Sequence, residues 1–417
     1  MRRAVVTGFG AVTPLGNDAW STWRAAVAGE SGIDWIRSFD TGDVPVRIAA
    51  EVKDFDPSGV ASPKEVRKLE RNVLLSLGAA TEAMGRASLN GFDPMRVGVV
   101  FGTAIGGFNG IIAQDEILRE RGPERVSPNF IPSVLVDTAS GQLAISLGIR
   151  GPNYAVVSAC ATGSHAIGEA AELIKRGDAD AVLAGGAESC MHPLILAGFT
   201  AMRGLAIEDE HPPNASRPFD ATRAGFVMGE GACVLVLEEL EHARQRGATI
   251  YAEVLGYGAS NDAHHIAQPE PEATGVAEMM RAALKRADVD PERVGYVNAH
   301  GTSTPLGDAA ETRAIKEVFG PHAYELAVSS TKSMMGHCFG AAGAIEAMMC
   351  VLAISEGVIP PTINYRHPDP ECDLDYVPNE AREQRIDVAL SNAMGLGGHN
   401  GCVLFGRVSV SDTVTGT

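Results

Sequence analysis

The feature that most constrains the fold is an alternation of short β-branched runs with alanine-rich stretches, punctuated by 47 glycines in 417 residues. Runs such as Val97–Phe101 are apolar throughout, which is typical of strands buried on both faces of a parallel sheet. Stretches such as Ala344–Ser355 have the length and composition of helices that cover such a sheet. The pattern therefore predicts an α/β fold.

The individual elements can be placed from this pattern. Strands are predicted at Ala4–Thr7, Val97–Phe101, Ala155–Ser158, Ala181–Ala184, Cys233–Leu237, Ile250–Gly256, Val294–Asn298, Ala327–Ser330, Val388–Ser391 and Cys402–Phe405. Helices are predicted at Lys64–Ala87, His165–Lys175, Leu240–Arg246, Ala273–Arg286, Asp308–Val318 and Ala344–Ser355. The last nine residues are small and polar, and we expect them to fray.

Two segments of the chain look like copies of one unit. Ala155–Ser158 and Ala327–Ser330 are similar strand-like runs, and each precedes an alanine-rich helix that is followed by a glycine, Gly177 or Gly357. The likeness predicts a duplicated protein, with one half at residues 1–248 and the other at residues 249–417. Reactive residues would then lie beyond the carboxyl ends of strands, where open α/β sheets bind ligands.

The bulk composition excludes several classes of function. A net charge of −18 argues against nucleic acid as a general partner, because phosphate binding needs a positive field. The longest apolar run, Ala341–Ile354, is shorter than a membrane span and contains Glu346. Seven cysteines without a C-x-x-C spacing favour reduced thiols over disulfides or structural zinc. With a first strand that starts at once and no signal peptide, the sequence predicts a cytoplasmic protein.

One basic patch stands out against the acidic background. Its four cations are spaced by three or four residues, which would put them on one face of a helix: Lys64, Arg67, Lys68 and Arg71. The patch could bind an acidic partner. It could equally be a solvated helix face that Glu65 and Glu70 partly neutralise.

Cys160 is the strongest candidate nucleophile. It lies between the predicted strand Ala155–Ser158 and the helix that begins near Thr162, so the positive end of the helix dipole should favour its thiolate. Its neighbours are small and leave room for an incoming thioester. The remaining cysteines are interpreted as inert small hydrophobic residues: Cys190, Cys233, Cys338, Cys350, Cys372 and Cys402.

Two histidines could serve this nucleophile. His300 and His337 each lie beside glycines at a turn, and two imidazoles aimed at one point can stabilise an oxyanion or an enolate. Lys332 could lower the proton affinity of a nearby histidine. Asp308 and Glu311 are either first-turn acids that suit a helix dipole or partners of Lys332, and the sequence leaves both possibilities open.

The glycine-rich stretch at residues 395–401 is not a nucleotide loop. It lacks the G-x-x-x-x-G-K-[ST] pattern, and no G-x-G-x-x-G opens a helix after it. Residues 102–107 fail the same test. Glycines at such positions let the backbone approach a ligand closely, so their amides could serve as oxyanion donors.

Together these segments resemble the β-ketoacyl-acyl-carrier-protein synthases, most closely the type II class of elongating condensing enzymes. The resemblance also includes Val5–Gly10, Arg217–Asp220 and Gly225–Gly231, and it extends over nearly the whole chain to Gly401. It implies a thiolase-like fold of two duplicated α/β halves in five layers, αβαβα, and a homodimer.

The resemblance also implies a reaction and its residues. Malonyl-carrier protein is decarboxylated and condensed with an acyl chain held on Cys160, with no cofactor and no metal. His300 and His337 would promote decarboxylation and stabilise the enolate. Lys332 and Glu311 would form a supporting ion pair. The backbone amides of Cys160 and Leu396 would form the oxyanion hole.

Further residues are implied to contact the substrates. Thr302 and Thr304 resemble the threonines that contact the pantetheine arm of the carrier protein. Ile105 and Phe199 resemble acyl-pocket residues, and Phe130 would reach across the dimer. The family's carrier is acidic, which favours docking at the basic patch and at another matching cation; the docking residues are Lys64, Arg67, Lys68, Arg71 and Arg203. The chain departs from the family's Gly-Phe-Gly-Gly loop, because Leu396 replaces the gating phenylalanine.

Three alternatives share part of this pattern. A ketosynthase of a polyketide or specialised acyl pathway would use the same catalytic residues. A degradative thiolase would need a second cysteine near the C-terminal glycine loop, where Cys402 lies just beyond His399 and Asn400. A non-catalytic partner subunit that controls chain length would typically lack the nucleophile, so Cys160 argues against it.

Overall fold

The computed structural model describes residues 2–89, 91–208 and 210–408. The last nine residues, 409–417, for which the sequence predicts a frayed end, lie outside the described residues. The strands are β1 (Ala4–Val12), β2 (Asp34–Trp35), β3 (Ile48–Ala49), β4 (Val97–Gly102), β5 (Asn153–Tyr154), β6 (Ala181–Glu188), β7 (Gly231–Glu239), β8 (Ala252–Asn261), β9 (Tyr296–Asn298), β10 (Ala327–Ser329), β11 (Val358–Ile359), β12 (Arg382–Glu383), β13 (Val388–Gly395) and β14 (His399–Gly406).

The helices alternate with these strands along the chain. They are α1 (Ala19–Val27), α2 (Pro63–Val66), α3 (Arg71–Ala87), α4 (Phe108–Arg121), α5 (Phe130–Val134), α6 (Thr138–Leu147), α7 (Thr162–Arg176), α8 (Pro193–Ala201), α9 (Leu240–Gln245), α10 (Thr274–Ala287), α11 (Pro305–Phe319), α12 (Lys332–Met335) and α13 (Ala342–Glu356). Short 3-10 turns precede two of them, at Ala159–Ala161 before α7 and at Phe339–Ala341 before α13.

The main sheet is built from two halves with the same pattern. Its order is β10-β9-β13-β14-β8-β1-β7-β6-β4-β5, and the halves meet where β1 pairs with β8 through Val5 and Val6. In each half the three outer strands run parallel and the inner pairings are antiparallel. The predicted duplication and α/β class are confirmed. The expectation of a largely parallel sheet holds for the outer strands alone. The boundary between residues 248 and 249 stays a prediction.

The helices complete five layers around the two halves of the sheet. Helices α3 and α6 cover the outer face of the first half, and α10 and α11 cover that of the second. Between the halves lie α7 and α13, which pack against each other and against strands of both halves. This central pair accounts for the alanine-rich sequences of both helices, because small side chains let helix and sheet approach closely.

The central helix α13 is unusually apolar. Among the described residues, Phe339–Glu356 has the length and composition of a membrane span, with a mean hydropathy of 1.5 over 18 residues, yet 89% of it is buried inside the protein. The prediction that no apolar run is this long is therefore wrong, because it leaves out the 3-10 turn that extends the helix. Burial between the two halves of the sheet explains the composition.

Two predicted elements differ from the structure. The strand predicted at Ala155–Ser158 lies instead at Asn153–Tyr154, on the edge of the sheet next to β4. The helix predicted over Lys64–Ala87 is broken, because α2 ends at Val66 and α3 begins at Arg71. Between the two helices the carboxylate of Glu70 turns away to accept a hydrogen bond from the Gly110 amide, 3.2 Å away, in the first turn of α4.

Candidate active site

The candidate nucleophile lies in a strained turn between β5 and α7. Ala159 adopts a left-handed conformation with φ 51°, and Cys160 follows it in the 3-10 turn, 7% exposed. The duplicated half repeats this geometry at Phe339, with φ 43°, before α13. Positive φ is unfavourable for residues other than glycine, so both turns are positions where the fold holds a costly backbone conformation.

The predicted thiolate character of Cys160 is wrong for this structure. Burial raises the pKa of the thiol to about 11, which outweighs the hydrogen bond from the Leu396 amide and the positive charge of Lys332. Helix α7 starts at Thr162, so Cys160 lies in the 3-10 turn that leads directly into the helix. The thiol is therefore protonated at neutral pH and needs a base when it reacts.

His300 is held by its backbone. It follows β9, and the amides of His300 and Gly301 each donate to the carboxylate of Glu311 at 2.8 Å. Asn392 donates to the same carboxylate at 3.1 Å. Glu311 lies in α11 and is completely buried. It therefore fixes the loop that presents the His300 ring.

His337 is held from the opposite side of the site. It follows α12 after Gly336, whose φ of 64° lets the chain reverse. The His337 amide donates to the Val227 carbonyl at 2.7 Å, and its carbonyl accepts from the Gly229 amide at 2.9 Å. These bonds fix the backbone, while neither ring nitrogen of His337 has a hydrogen-bond partner among the described residues.

The two imidazoles meet at right angles. Their ring centroids are 5.4 Å apart, with an interplanar angle of 88°. Burial and the charge of Lys332 lower the pKa of both His300 and His337 well below the ordinary value. Both rings are therefore neutral at physiological pH, and each offers one N–H donor and one free nitrogen.

Lys332 has a different partner from the one predicted. Its ammonium bonds to the carboxylate of Glu346 in α13, and both side chains are 2% exposed. The predicted Lys332–Glu311 ion pair is wrong, because Glu311 is already occupied by two backbone amides. The sequence carried a signal for the true partner: Glu346 is the one charge within the apolar run of this helix, and a buried charge requires compensation.

The predicted oxyanion donors come together at the sulfur. The Leu396 amide donates to the Cys160 thiol, and a Cβ on the adjacent Gly395 would lie 3.2 Å from the Cys160 nitrogen and 2.7 Å from the Ser158 carbonyl. The loop after β13 thus packs bare backbone against the nucleophile's turn. This close approach leaves room for two amides to face one developing oxyanion.

A single cavity of about 590 Å³ joins these groups. Its walls include the sulfur, both imidazoles and a set of predicted substrate residues: Cys160, His300, His337, Phe199, Arg203, Thr302, Thr304 and Leu396. Ile105 does not line it, but it packs into the same apolar cluster as Cys160. Phe130, at the start of α5, lies away from the cavity.

Two aromatic side chains that the sequence analysis missed shape this cavity. The Phe339 ring lies 4.9 Å from the His337 ring and stacks on Phe199 at 5.3 Å. The Phe226 ring contacts Phe199, His337 and Phe339 edge-on. Gly225-Phe226 was part of a recognised motif, but nothing in its spacing indicated that the ring would pack against an imidazole.

The basic patch is split by the helix break. Lys64, Arg67 and Lys68 are exposed, but they do not form one face of a continuous helix as predicted. Arg71 forms an ion pair, because its guanidinium donates hydrogen bonds to the carboxylate of Glu230 at 2.8 to 3.1 Å. Arg71 stays exposed but is ion-paired, whereas Lys64, Arg67 and Lys68 are exposed and have no ion-pair partner among the described residues.

Within residues 2–89, 91–208 and 210–408, no group of three or more His, Cys, Asp or Glu side chains is arranged to hold a metal ion.

Comparison with known protein families agrees with this geometry. The model of the β-ketoacyl synthase N-terminal domain matches residues 1–243, and that of the β-ketoacyl synthase C-terminal domain matches residues 251–366. The chain belongs to the β-ketoacyl synthase family. It is therefore a condensing enzyme and an acyltransferase, as the sequence resemblance implies.

Individual relatives cover almost all of this β-ketoacyl synthase. The 3-oxoacyl-[acyl-carrier-protein] synthase 2 of Coxiella burnetii is 50% identical over 409 residues, 98% of this chain and 99% of the relative. A β-ketoacyl synthase structure from Burkholderia phymatum has a TM-score of 0.91 at 36% identity, covering 98% of this chain and 100% of that one. The thiolase-like fold is confirmed.

A third relative was solved with a partner. It is a ketosynthase bound to the hexaketide, in complex with its type II polyketide synthase acyl-carrier protein. Its TM-score is 0.91 at 34% identity, and the match covers 98% of this β-ketoacyl synthase and 100% of that chain.

Proposed function

We propose that this β-ketoacyl synthase is a 3-oxoacyl-[acyl-carrier-protein] synthase, which lengthens a fatty acyl chain by two carbons through decarboxylative condensation with malonyl-carrier protein. The observation that carries the proposal is the convergence of Cys160, His300 and His337 on one cavity, with the Leu396 amide donating to the sulfur. The relatives named 3-oxoacyl-[acyl-carrier-protein] synthase support the same substrate class.

In the first half-reaction the sulfur of Cys160 attacks the carbonyl carbon of an acyl thioester on the carrier protein. Because the buried thiol is protonated, its proton must leave as the new C–S bond forms. A neutral imidazole in the cavity has a free nitrogen to accept this proton. The proton then passes to the departing pantetheine thiolate, so the exchange of thioesters is balanced.

In the second half-reaction a malonyl thioester occupies the cavity. Its free carboxylate leaves as carbon dioxide, and the electron pair of the broken C–C bond forms an enolate. The N–H groups of neutral His300 and His337 can donate to the enolate oxygen. Lys332 supports this role at a distance, because its charge lowers the pKa of both histidines and keeps them neutral.

Condensation follows at the acyl group on Cys160. The enolate carbon attacks the thioester carbonyl carbon, whose oxygen becomes an oxyanion facing the amides of Cys160 and Leu396. Collapse of this intermediate breaks the C–S bond and releases the sulfur as a thiolate. The thiolate takes up a proton from solvent, which restores the free enzyme. Decarboxylation supplies the carbanion, so we propose that no cofactor is needed.

Acyl carrier protein is the proposed partner. Thr302 and Thr304 line the cavity, and their hydroxyls are 3.1 Å apart, close enough to bind an amide of the pantetheine arm together. Arg203 lies exposed at the same cavity. With Lys64, Arg67 and Lys68 it offers positive charge to an acidic carrier on a protein of net charge −18.

A homodimer is the proposed assembly. Exposed apolar side chains cluster in sequence around α5 and α6, including Ile131 at 58%, Leu135 at 50% and Ile145 at 73%. The adjoining strand β5 is one of the two edge strands of the main sheet. A second copy could cover these side chains and pair with this edge. Phe130, in the same region, would then reach the partner's acyl site.

The cytoplasm is the proposed location. All seven cysteines lie in the described residues and are free, which suits a reducing compartment.

A second candidate function is condensation in a polyketide pathway. The likeness to a ketosynthase bound to a hexaketide favours it, since the two chains share their fold over nearly their whole length. The identity of 34% to that protein is lower than the 50% to the Coxiella burnetii relative, which favours fatty-acid elongation.

Mass spectrometry of the intact protein after incubation with acyl-carrier proteins tests the proposal. We expect an acyl adduct on Cys160 that is absent from Cys160→Ala. Cys338→Ala, which changes a buried cysteine outside the cavity, is the matched control and should keep the adduct. No adduct with any chain length would refute the enzyme, and an adduct confined to polyketide intermediates would favour the second candidate.

A further inference from the structure

A buried carboxylate beside the site has no role in the steps above. Glu188 ends strand β6 and is completely buried. Within the described part of the chain it takes part in no ion pair: its hydrogen bonds come from a hydroxyl and backbone amides. Burying a carboxylate without a cation costs free energy. The hydrogen bonds from four neutral donors must therefore offset this cost.

Those donors come from two separate segments. On one side, Thr103 donates its hydroxyl at 2.7 Å, and the amides of Ala104 and Ile105 donate at 2.7 and 3.4 Å. On the other side, the Gly340 amide donates at 3.3 Å. Glu188 therefore bridges the loop after β4 to the turn that precedes α13.

The bridged segments touch through bare backbone. A Cβ on Gly340 would lie 2.5 Å from the Ala104 nitrogen and 3.0 Å from a Glu188 carboxylate oxygen. A Cβ on Gly186, in the same strand as Glu188, would lie 2.3 Å from the Gly340 carbonyl. Gly340 and Gly186 offer only backbone at this contact, and the carboxylate supplies directional hydrogen bonds to both segments.

Each segment contributes an apolar side chain to the cluster that contains Cys160. The loop contains Ile105, which packs in the apolar cluster around Cys160. The turn contains Phe339, whose ring contacts both His337 and Phe199. We infer that Glu188 is a positioning residue that sets the spacing of Ile105 and Phe339, and thereby the acyl lengths that Cys160 accepts. The inference rests on the proposed function.

The chemistry requires a carboxylate and not merely a polar side chain. An ionised carboxylate only accepts hydrogen bonds, so both oxygens can face N–H or O–H donors. Glutamine keeps the size but places an NH2 group against one of these donors, which loses its acceptor and pushes the segments apart. Burial also raises the pKa of Glu188, and no ion pair within the described residues offsets this effect.

The test is acylation of Cys160 by a panel of saturated acyl-carrier proteins of increasing length. In Glu188→Gln we expect the ratio of kcat/KM between the preferred chain and one two carbons longer to fall about tenfold, equivalent to about 1.4 kcal/mol. Glu238→Gln is the matched control: Glu238 is completely buried at the far end of the neighbouring strand β7 and bonds Arg246. It should keep the wild-type length profile.

A second pair of variants covers the case in which Glu188→Gln does not fold. Thr103→Val removes the hydroxyl donor and should shift the profile in the same direction, and Thr103→Ser should rescue it relative to Thr103→Val. A wild-type profile in folded Glu188→Gln, or in Thr103→Val, would overturn the inference. Failure of the wild-type protein to acylate Cys160 at all would instead refute the proposed function.

Discussion

The ammonium of Lys332 bonds to the carboxylate of Glu346, which the central helix α13 contributes from between the two halves of the sheet. The pair is almost fully buried, so neither charge has solvent to stabilise it. Lys332 also lowers the pKa of His300 and His337. One buried ion pair therefore connects the core of the fold to the protonation of the two imidazole rings.

Breaking this pair should destabilise the protein. Glu346→Gln leaves the Lys332 charge uncompensated, and we expect the free energy of unfolding to fall by about 3–5 kcal/mol in urea titrations. Lys332→Met should cost a similar amount. The double variant Lys332→Met/Glu346→Gln should recover much of the loss, because no unpaired charge remains. Additive losses in the double variant would contradict the pairing.

His337→Ala should separate the two half-reactions. The ring has no hydrogen-bond partner in the described residues, so its removal breaks no hydrogen bond within them and takes away one enolate donor. We expect acyl transfer to Cys160 to persist while malonyl decarboxylation falls by about 100-fold or more. Carbon dioxide release and the acyl adduct are measured separately. Equal loss of both steps would show that the histidine also serves the transfer.

The sequence predicted the site better than it predicted the contacts within it. Each of the three site residues follows a strand or a short helix at a turn: Cys160, His300 and His337. Local patterns of this kind can be recognised in the amino-acid sequence. The partners of Lys332 and Glu311 are not, because they depend on how α11 and α13 pack in three dimensions. The spacing along the chain favours neither Glu311 nor Glu346 as the partner of Lys332, and the apolar surroundings of Glu346 are the one local signal for it.

Dependence on three-dimensional packing also explains the other differences between the sequence predictions and the structure. The three- and four-residue spacing of the basic patch indicated one helix, but α2 ends at Val66 and α3 begins at Arg71, next to Glu70, which bonds the Gly110 amide 40 residues away. The helix dipole at Cys160 was apparent from the sequence, whereas the burial that raises its pKa depends on the loop at Gly395. Tertiary packing outweighed a local signal in both cases.

Gly395→Ala should damage the oxyanion site specifically. The added methyl would lie 3.2 Å from the Cys160 nitrogen and 2.7 Å from the Ser158 carbonyl, so the Leu396 loop must move away from the sulfur. We expect kcat to fall about 100-fold, as for loss of one oxyanion donor. Gly85→Ala, in helix α3 with open space around it, is the control and should keep kcat. Unchanged kcat in Gly395→Ala would remove Leu396 from the oxyanion hole.

The cations of the basic patch should differ in their effects. Arg67→Glu/Lys68→Glu removes exposed charge, and we expect the apparent KM for acyl-carrier protein to rise about tenfold at low salt, with a smaller rise at high salt. Arg71→Ala should instead lower the free energy of unfolding by about 1 kcal/mol, because the buried Glu230 carboxylate loses its cation. An unchanged KM in the double variant would exclude this surface as the docking site.

Asp308 should make stability depend on pH. It is completely buried, accepts from the amides of Phe219 and Ser303, and lies 3.6 Å from Arg223. Burial raises its pKa from 3.8 to about 7, despite these favourable partners. Between these values the folded protein binds a proton that the unfolded chain has lost. The stabilisation is therefore complete below pH 3.8 and is lost as pH rises through 7.

The Asp308→Asn variant lacks this titration, so its stability relative to wild type should change with pH. We subtract the unfolding free energy of the variant from that of the wild type. This difference should fall by up to about 1.4 kcal/mol per pH unit between pH 4 and 7, and should level off above pH 7. Urea titrations of both proteins across this range measure it. Asp290→Asn, at an exposed aspartate that makes no side-chain cap, is the control and should retain the wild-type slope. A difference that is constant with pH would mean that Asp308 stays ionised in the fold, with Arg223 as its effective counter-charge.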